Sequence, residues 1–536
     1  MTTIDTHVGT ATQAPGSSLV ATVGQWVTSS DHKKIGRLFI GWSLVHAIEI
    51  AVLGVLFGFE RVSPKSLQIF NGDSVIQWLA YNNHLQVLGL LAPLFVGIAI
   101  AVVPMQVGAR SIAFPRLAQL GFWSWFFGCG LVLWALAANG GPGGGNGDMV
   151  DLFLLGTALT IVGIVAACVS VATTILTSRA AGMSLDRVPA FSWSALVGSV
   201  ATVLSLPVAV GTIAYLYVDN THAQKAFEGN KGVGTWLNWV YKQPLTFVLV
   251  VMALGVLAEI APVVARVRQP QRPVVLAGLG LVTAAVLGAV TQQQHLLDLN
   301  GSASDKLQST ILFLLFNGLP LLGVLVTIAA SVLAFKSGSP RITASFSFAM
   351  LGALMILIGA VGNFVGTIAK AGLVGTSFED AVTSYLVYGS IMAALGALVH
   401  WAPKLWGRVL DDRKVQGLSA IAFVGTILAT FPLLVAGFTD QPSSALYGFD
   451  YDGPVALWNG LSAIGAALFT TAVLGFVALL VASVRGDEQA VDDPWDGQTL
   501  EWSIPSPAPV DNFAAIATVN SAEPVLDAKP SQEARA

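Results

Sequence analysis

Seven histidines are the whole imidazole supply of this 536-residue chain. Two of them are followed by an acid three residues on. His46 and Glu49 fall three residues apart inside a long apolar run, a spacing that puts both side chains on one face of a helix. Ionisable groups in an apolar span are expensive and mark function by default. Three readings stay open for this pair: a self-satisfied contact facing a neighbouring subunit, a neutralised Glu49, or a proton relay. His295 and Asp298 form a second pair, read either as a weak metal site or as a capped helix end. Glu259 lies deep in another apolar run, followed by Pro262, and reads as a snorkelling partner of Arg266. The run "GGPGGGNGD" from Gly140 has no Lys-Ser/Thr behind it and reads as a flexible turn, not a phosphate loop. Cys129 and Cys168 sit in apolar runs, where cysteine serves as a small packing residue.

The elements that must position these groups are set by composition. Hydrophobic residues make up 54% of the chain and charged residues 10%, against about a quarter charged in a soluble protein. Twelve apolar segments of spanning length lie at 37–59, 86–108, 118–138, 152–177, 192–217, 246–266, 274–296, 309–335, 343–367, 381–403, 418–438 and 457–485. In hydrocarbon every backbone polar group needs a partner within the segment, so runs this long predict helices and an all-α membrane fold. With the N-terminus inside, inner segments hold 17 Lys/Arg and outer loops 7. That bias places both termini in the cytoplasm. Polar tails at 1–30 and 486–536, mobile in part, bracket a membrane domain at 31–485. No apolar run with a small-residue cleavage site precedes them, which reads as no removable leader. The slightly acidic net charge of −4 gives no sign of a nucleic-acid partner.

One string near the end is more specific. "DPWDGQTLEWSIPSPAPVDNF", from Asp493 to Phe513, resembles the tail of cytochrome c oxidase subunit I, with its Pro-Trp, Thr-Leu-Glu-Trp, Pro-Ser-Pro and Asn-Phe in that order. "DHKKIGRLF" from Asp31, "GARSIAFPRL" from Gly108, "RAAGMSLDRVPAFSWS" from Arg179, "SLPVAVGTIAYLYVD" from Ser205 and "APKLWGR" from Ala402 resemble further landmarks of that family. The resemblance spans about 31–513. It implies the twelve-helix fold of haem–copper oxidase subunit I, a prokaryotic-type cell membrane, a respiratory setting with partner membrane subunits, and oxygen reduction with proton pumping.

The same resemblance locates the family's ligands, and most are replaced. The sixth-helix His-Pro-Glu-Val-Tyr becomes Gln243, Pro244, Leu245, Thr246 and Phe247, so a copper ligand, a proton-carrying acid and a phenol are absent. The seventh-helix histidine pair becomes Gln294 and His295, leaving His295 as the one candidate metal ligand. The tenth-helix His-x-His falls on Ala381 and Thr383. The second-helix haem ligand falls on Tyr81, with His84 a turn away as the candidate haem ligand. The alternative for His84 is a helix-start histidine at the outer interface. The eighth-helix lysine falls near Pro320, and the arginines that grip haem propionates fall on Ser443 and Ser444. Ile100, Leu373 and Val374 replace a polar channel residue and an outer metal pair. His46 and Glu49 stand where the family has apolar residues.

These substitutions imply a subunit I-like protein without a binuclear centre. The leading expectation is a non-catalytic structural or regulatory subunit of a respiratory-type complex, with its former cofactor cavities filled by apolar side chains. A residual haem-binding electron-transfer subunit using His84, and a conduit for protons or a small solute built on His46 and Glu49, are the alternatives. Haem is compatible with the second; copper fits none of them.

Overall fold

The computed structural model describes residues 24–62, 69–70, 72–222, 226–241, 243–286, 294–444, 446, 454–516 and 518–529; the side chains of 72–73, 243–248 and 455 are not among them. Among the described residues there is no strand, only two isolated bridges. The helices are α1 (His32–Arg61), α2 (three continuous stretches, Gly72–His84, Leu85–Leu91 and Ala92–Gln106), α3 (Pro115–Ala137), α4 (Gly147–Thr177), α5 (Ala190–Thr221), α6 (Gln243–Ala265), α7 (Arg272–Val282), α8 (Ala303–Phe313 continuing to Ser337), α9 (Ala344–Gly366), α10 (Ser377–Trp406), α11 (Asp412–Gly437) and α12 (Val455–Arg485). Ten are long and apolar enough to cross a membrane, and two shorter apolar helices, Leu249–Ala265 and Arg272–Ala285, complete the twelve.

The sequence explains where these helices start and how closely they pack. Asp31 caps α1 by accepting the Lys33 N–H at 3.0 Å, and Thr376 caps α10. Small residues let backbones approach, as membrane helices require in the absence of a hydrophobic force between them. Gly36 of α1 faces Gly97 and Ala101 of α2 so tightly that an added Cβ would stand 2.6 Å from the Gly97 carbonyl. α3 packs on α4, α9 on α10 and α11 on α12, while α2 and α10 are the most enclosed of the spans. In α2 the residues Leu85–Leu91 form a π-helical turn directly after His84. Such wide turns are frequent at functional sites.

Two expectations are corrected. The seventh segment does not stay helical to 296. Residues 294–300 run without helix, and Leu297 instead exchanges backbone hydrogen bonds with Thr367 (2.9 Å) and Ala369 (3.1 Å). That bridge satisfies the groups a helix would have paired. The C-terminal stretch is also no free tail. Residues 491–516 are strapped across the end of the bundle that carries the termini. Trp495 Nε1 donates to the His400 carbonyl at 2.9 Å, and Lys404 Nζ donates to Asp492 O at 2.8 Å. Glu501 accepts from Gln106 at 2.9 Å and from Trp401 at 3.3 Å. Asn512 accepts from Lys33 at 3.2 Å and donates to the ring of His32 at 3.0 Å and to Ala109 O at 2.8 Å. The strap therefore closes polar groups at the ends of α1, α2 and α10.

Candidate functional site

Starting from the paired residues, His46 Nδ1 lies 3.0 Å from Glu49 Oε2, as the three-residue spacing predicts. The sequence did not indicate the third member: Tyr81 of α2 donates its hydroxyl to the same carboxylate oxygen at 3.3 Å. His46 is buried and stands edge-on to Trp125, with ring centroids 5.8 Å apart. The Glu49 side chain is 36% exposed. His46 Nε2 is enclosed, and no hydrogen-bond partner meets it among the described residues.

His84 is fully buried inside the bundle and not at an interface with water. Neither of its ring nitrogens has a hydrogen-bond partner among the described residues. Its ring meets Tyr241 edge-to-face, with centroids 6.1 Å apart, and His46 is its ionisable neighbour.

A cavity of about 200 Å³ opens beyond His84, at the end of the bundle opposite the termini. It lies among α1, α2, α10, α11, α12 and the short helix Gly232–Tyr241. Thr383, Ser443 and Ser444 all line it, as do Asn82, Tyr241 and Tyr388. The expectation of a cavity filled by apolar side chains is therefore wrong here. The space has hydroxyls and amides in its lining, so water can occupy it without the cost of a dry void. Arg61 and Asp380 flank it with Nη2 and Oδ2 3.6 Å apart. Asp380 also accepts the Ser444 N–H at 2.6 Å, which holds the serine loop against the start of α10. Ser444 has a left-handed backbone, φ 58°.

The remaining sequence candidates lie elsewhere. Ala381 is buried on α10 between the cavity-lining residues Asp380 and Thr383, and Pro320 is buried at the start of the last stretch of α8. Gln294 is exposed. Gln243 and Phe247 lie on the α6 backbone, and their side chains fall outside the described residues. His295 is not at a helix end. It stacks on Phe316 with centroids 4.3 Å apart, and its carbonyl accepts from Asn317 at 3.0 Å. Burial holds its imidazole below the ordinary value. Asp298 turns away to accept the Asn300 N–H at 2.9 Å. Among the described residues no three His, Cys, Asp or Glu side chains come together to hold a metal. Glu259 does not reach Arg266. It accepts the Phe191 N–H at 3.1 Å and the Thr499 hydroxyl at 3.4 Å, because the strap brings a nearer donor to it.

These geometries fit a familiar scaffold. The family model described as Cytochrome C and Quinol oxidase polypeptide I matches residues 34–468, most of the chain. The chain belongs to this family. It is 29% identical to a Streptomyces avermitilis protein named as a cytochrome c oxidase subunit 1-beta, over 96% of this chain and 93% of that protein. It is 27% identical to cytochrome c oxidase subunit 1 of Bacillus subtilis, over 93% of this chain and 82% of the relative. A solved heme-copper terminal oxidase dimer shares its fold, with a TM-score of 0.69 at 14% identity over 85% of each chain. The subunit I-like protein is thus a multi-pass protein of the cell membrane.

Haem is the cofactor the family implies, and the residues present do not fit it. His84 offers an imidazole but does not line the cavity. On α10 the resemblance puts the ligand positions at Ala381 and Thr383, and it puts the propionate arginines at Ser443 and Ser444, which lack the charge-assisted fork of arginine. A cavity near 200 Å³ is also below the roughly 300–1,000 Å³ of pockets for ligands smaller than a haem.

Proposed function

We propose that this subunit I-like protein is a non-catalytic structural or regulatory subunit of a respiratory-type membrane complex. The observation that carries this reading is the cavity at Thr383, Ser443 and Ser444. It occupies the place where the family's resemblance puts a haem, and its polar lining is hydroxyls, amides and the Arg61–Asp380 pair, with no histidine. A redox subunit needs side chains that hold and tune a metal, and these do neither. The fold is kept while the chemistry of its ligand positions is not. Partner subunits follow from the family: oxidase subunit I chains work beside other membrane subunits, and an intramembrane carboxylate with an exposed flank, Glu49, suits a protein neighbour better than lipid. The positive-inside bias supports a cytoplasmic strapped end and an outer cavity.

The test is an absorbance spectrum with elemental analysis of the purified chain. The expected result is copper far below one per chain, no stoichiometric Soret band and no oxygen reduction. Stoichiometric copper, or a strong Soret band lost on His84→Ala, would overturn the reading.

A further inference from the structure

The family accounts for neither His46 nor Glu49, and the site above leaves His84 without a partner. Taken together these groups form one path. Starting at the cavity, Asn82 and Tyr241 line its wall, and the Asn82 amide oxygen is buried with no partner among the described residues. Tyr241 leans on the His84 ring. Among the described residues both ring nitrogens of buried His84 lack a partner, as does Nε2 of its neighbour His46. His46 Nδ1 then reaches Glu49, which Tyr81 also holds.

Buried polar atoms take hydrogen-bond partners, protein or water, with few exceptions. The four unpartnered atoms of Asn82, His84 and His46 are therefore candidate water-bridging positions between the hydratable cavity and the hydrogen-bonded carboxylate. With Nδ1–H of His46 donated to Glu49, its Nε2 is left as the acceptor. The wide π-helical turn after His84 loosens the backbone ladder at the same place.

We propose that Tyr241, His84 and His46 form a proton relay that connects the outer cavity to Glu49 and is closed to the opposite side. One proton enters from cavity water and is taken up on one nitrogen of His84, which releases its other proton toward His46 Nε2. His46 in turn passes its Nδ1 proton to the Glu49 carboxylate. Reversal returns one proton to the cavity, and no electron moves. The titratable groups that face this path are Glu49, Tyr81, Cys129, Tyr241 and the two imidazoles, with the Arg61–Asp380 pair at the mouth. No fixed cation lies beside Glu49 among the described ion pairs, so its protonation follows what the relay delivers. The relay gives Glu49, on the exposed flank of α1, a charge state set from outside the cell. It rests on the non-catalytic reading in one respect, that His84 is not taken up as a haem ligand; otherwise it uses no metal.

The test is labelling of Glu49 by N,N′-dicyclohexylcarbodiimide, which reacts from the lipid phase with protonated carboxyls. Labelling is read by mass spectrometry of the peptide that holds Glu49, in right-side-out membrane vesicles with the pH of each side set separately. In the parent chain labelling should rise as the outer pH falls and ignore the inner pH. In His84→Phe, close in volume, the response to an outer pH step should slow by about tenfold or more. Labelling that follows the inner pH, or neither pH, overturns the proposal. So does an unchanged response in a His84→Phe chain with parental yield and melting temperature. If that variant does not fold, the two-sided measurement on the parent decides alone. Haem and copper content of the same vesicles separates this outcome from that of the proposed function.

Discussion

Arg61, the last residue of α1, stands 3.6 Å from Asp380 in the first turn of α10, across a gap of 319 positions in the chain. Both side chains are mostly buried, and Asp380 also carries the Ser444 N–H. The pair therefore ties the first span, the tenth span and the serine loop at one point of the cavity rim.

Breaking this tie should cost more than an exposed ion pair and less than a deeply buried one. Arg61→Ala is expected to lower unfolding stability in micelles by about 1–3 kcal/mol. Asp380→Asn, which keeps an acceptor for Ser444, should cost less than Asp380→Ala. Chemical denaturation of the three variants checks the order, and equal losses would mean the Ser444 bond contributes nothing.

The strap supplies a pH test. Burial raises the Glu501 carboxyl above its ordinary 4.5, against hydrogen bonds from Gln106 and Trp401 that lower it. An acid with a raised folded-state pKa holds a proton that the unfolded chain has already released. Stability is thus lost as pH rises from 4.5 through the folded value. The melting temperature of the parent should fall as pH rises above 4.5, and Glu501→Gln should flatten that fall. Parallel pH profiles would refute the assignment.

Helix contact offers a steric test. A methyl on Gly36 would sit 2.6 Å from both Gly97 O and Ala101 Cβ. Gly36→Ala should therefore push α1 off α2 and destabilise by about 1–3 kcal/mol, as overpacking does. A melting curve of Gly36→Ala beside Gly41→Ala, where an added Cβ meets nothing, separates crowding from a helix-propensity gain.

Asn512 tests the far end of the strap. Asn512→Ala leaves the His32 Nε2 position and the Ala109 carbonyl without their partner. The expected loss is about 1–3 kcal/mol, together with faster proteolysis of the segment after residue 490. A variant as resistant as the parent would mean that Lys33 bonding to Val510 O, 3.0 Å, is enough to hold it.

The twelve spans were legible because apolar runs of this length have one solution in lipid, and the His46–Glu49 bond because three residues make nearly one helical turn. Contacts between distant segments were not legible. Nothing local marks Tyr81 as a donor to Glu49, Asp380 as the partner of Arg61, or Thr499 as a donor to Glu259. The Glu259 reading took the nearest arginine in sequence and missed the strap, which arrives from 240 residues away. The filled-cavity expectation assumed that apolar packing replaces a lost group. Hydroxyls and amides do so equally well where water can enter. The family motif at 493–513 carried the fold assignment but gave no hint that its Glu501 and Asn512 bond into the bundle.

The strap also sets an order of events during synthesis. His32 and Lys33 open the first membrane helix, yet their partner Asn512 is made 480 residues after His32. At a few residues per second to a few tens, the first span waits on the order of a minute at the membrane with these hydrogen bonds unmade. A ribosome that stops early releases a chain whose helices can all insert while one face of the bundle stays unsealed. Completion of the last segment is thus a checkpoint. A membrane-bound protease that samples the strapped face can tell a sealed bundle from an unsealed one without reading any span.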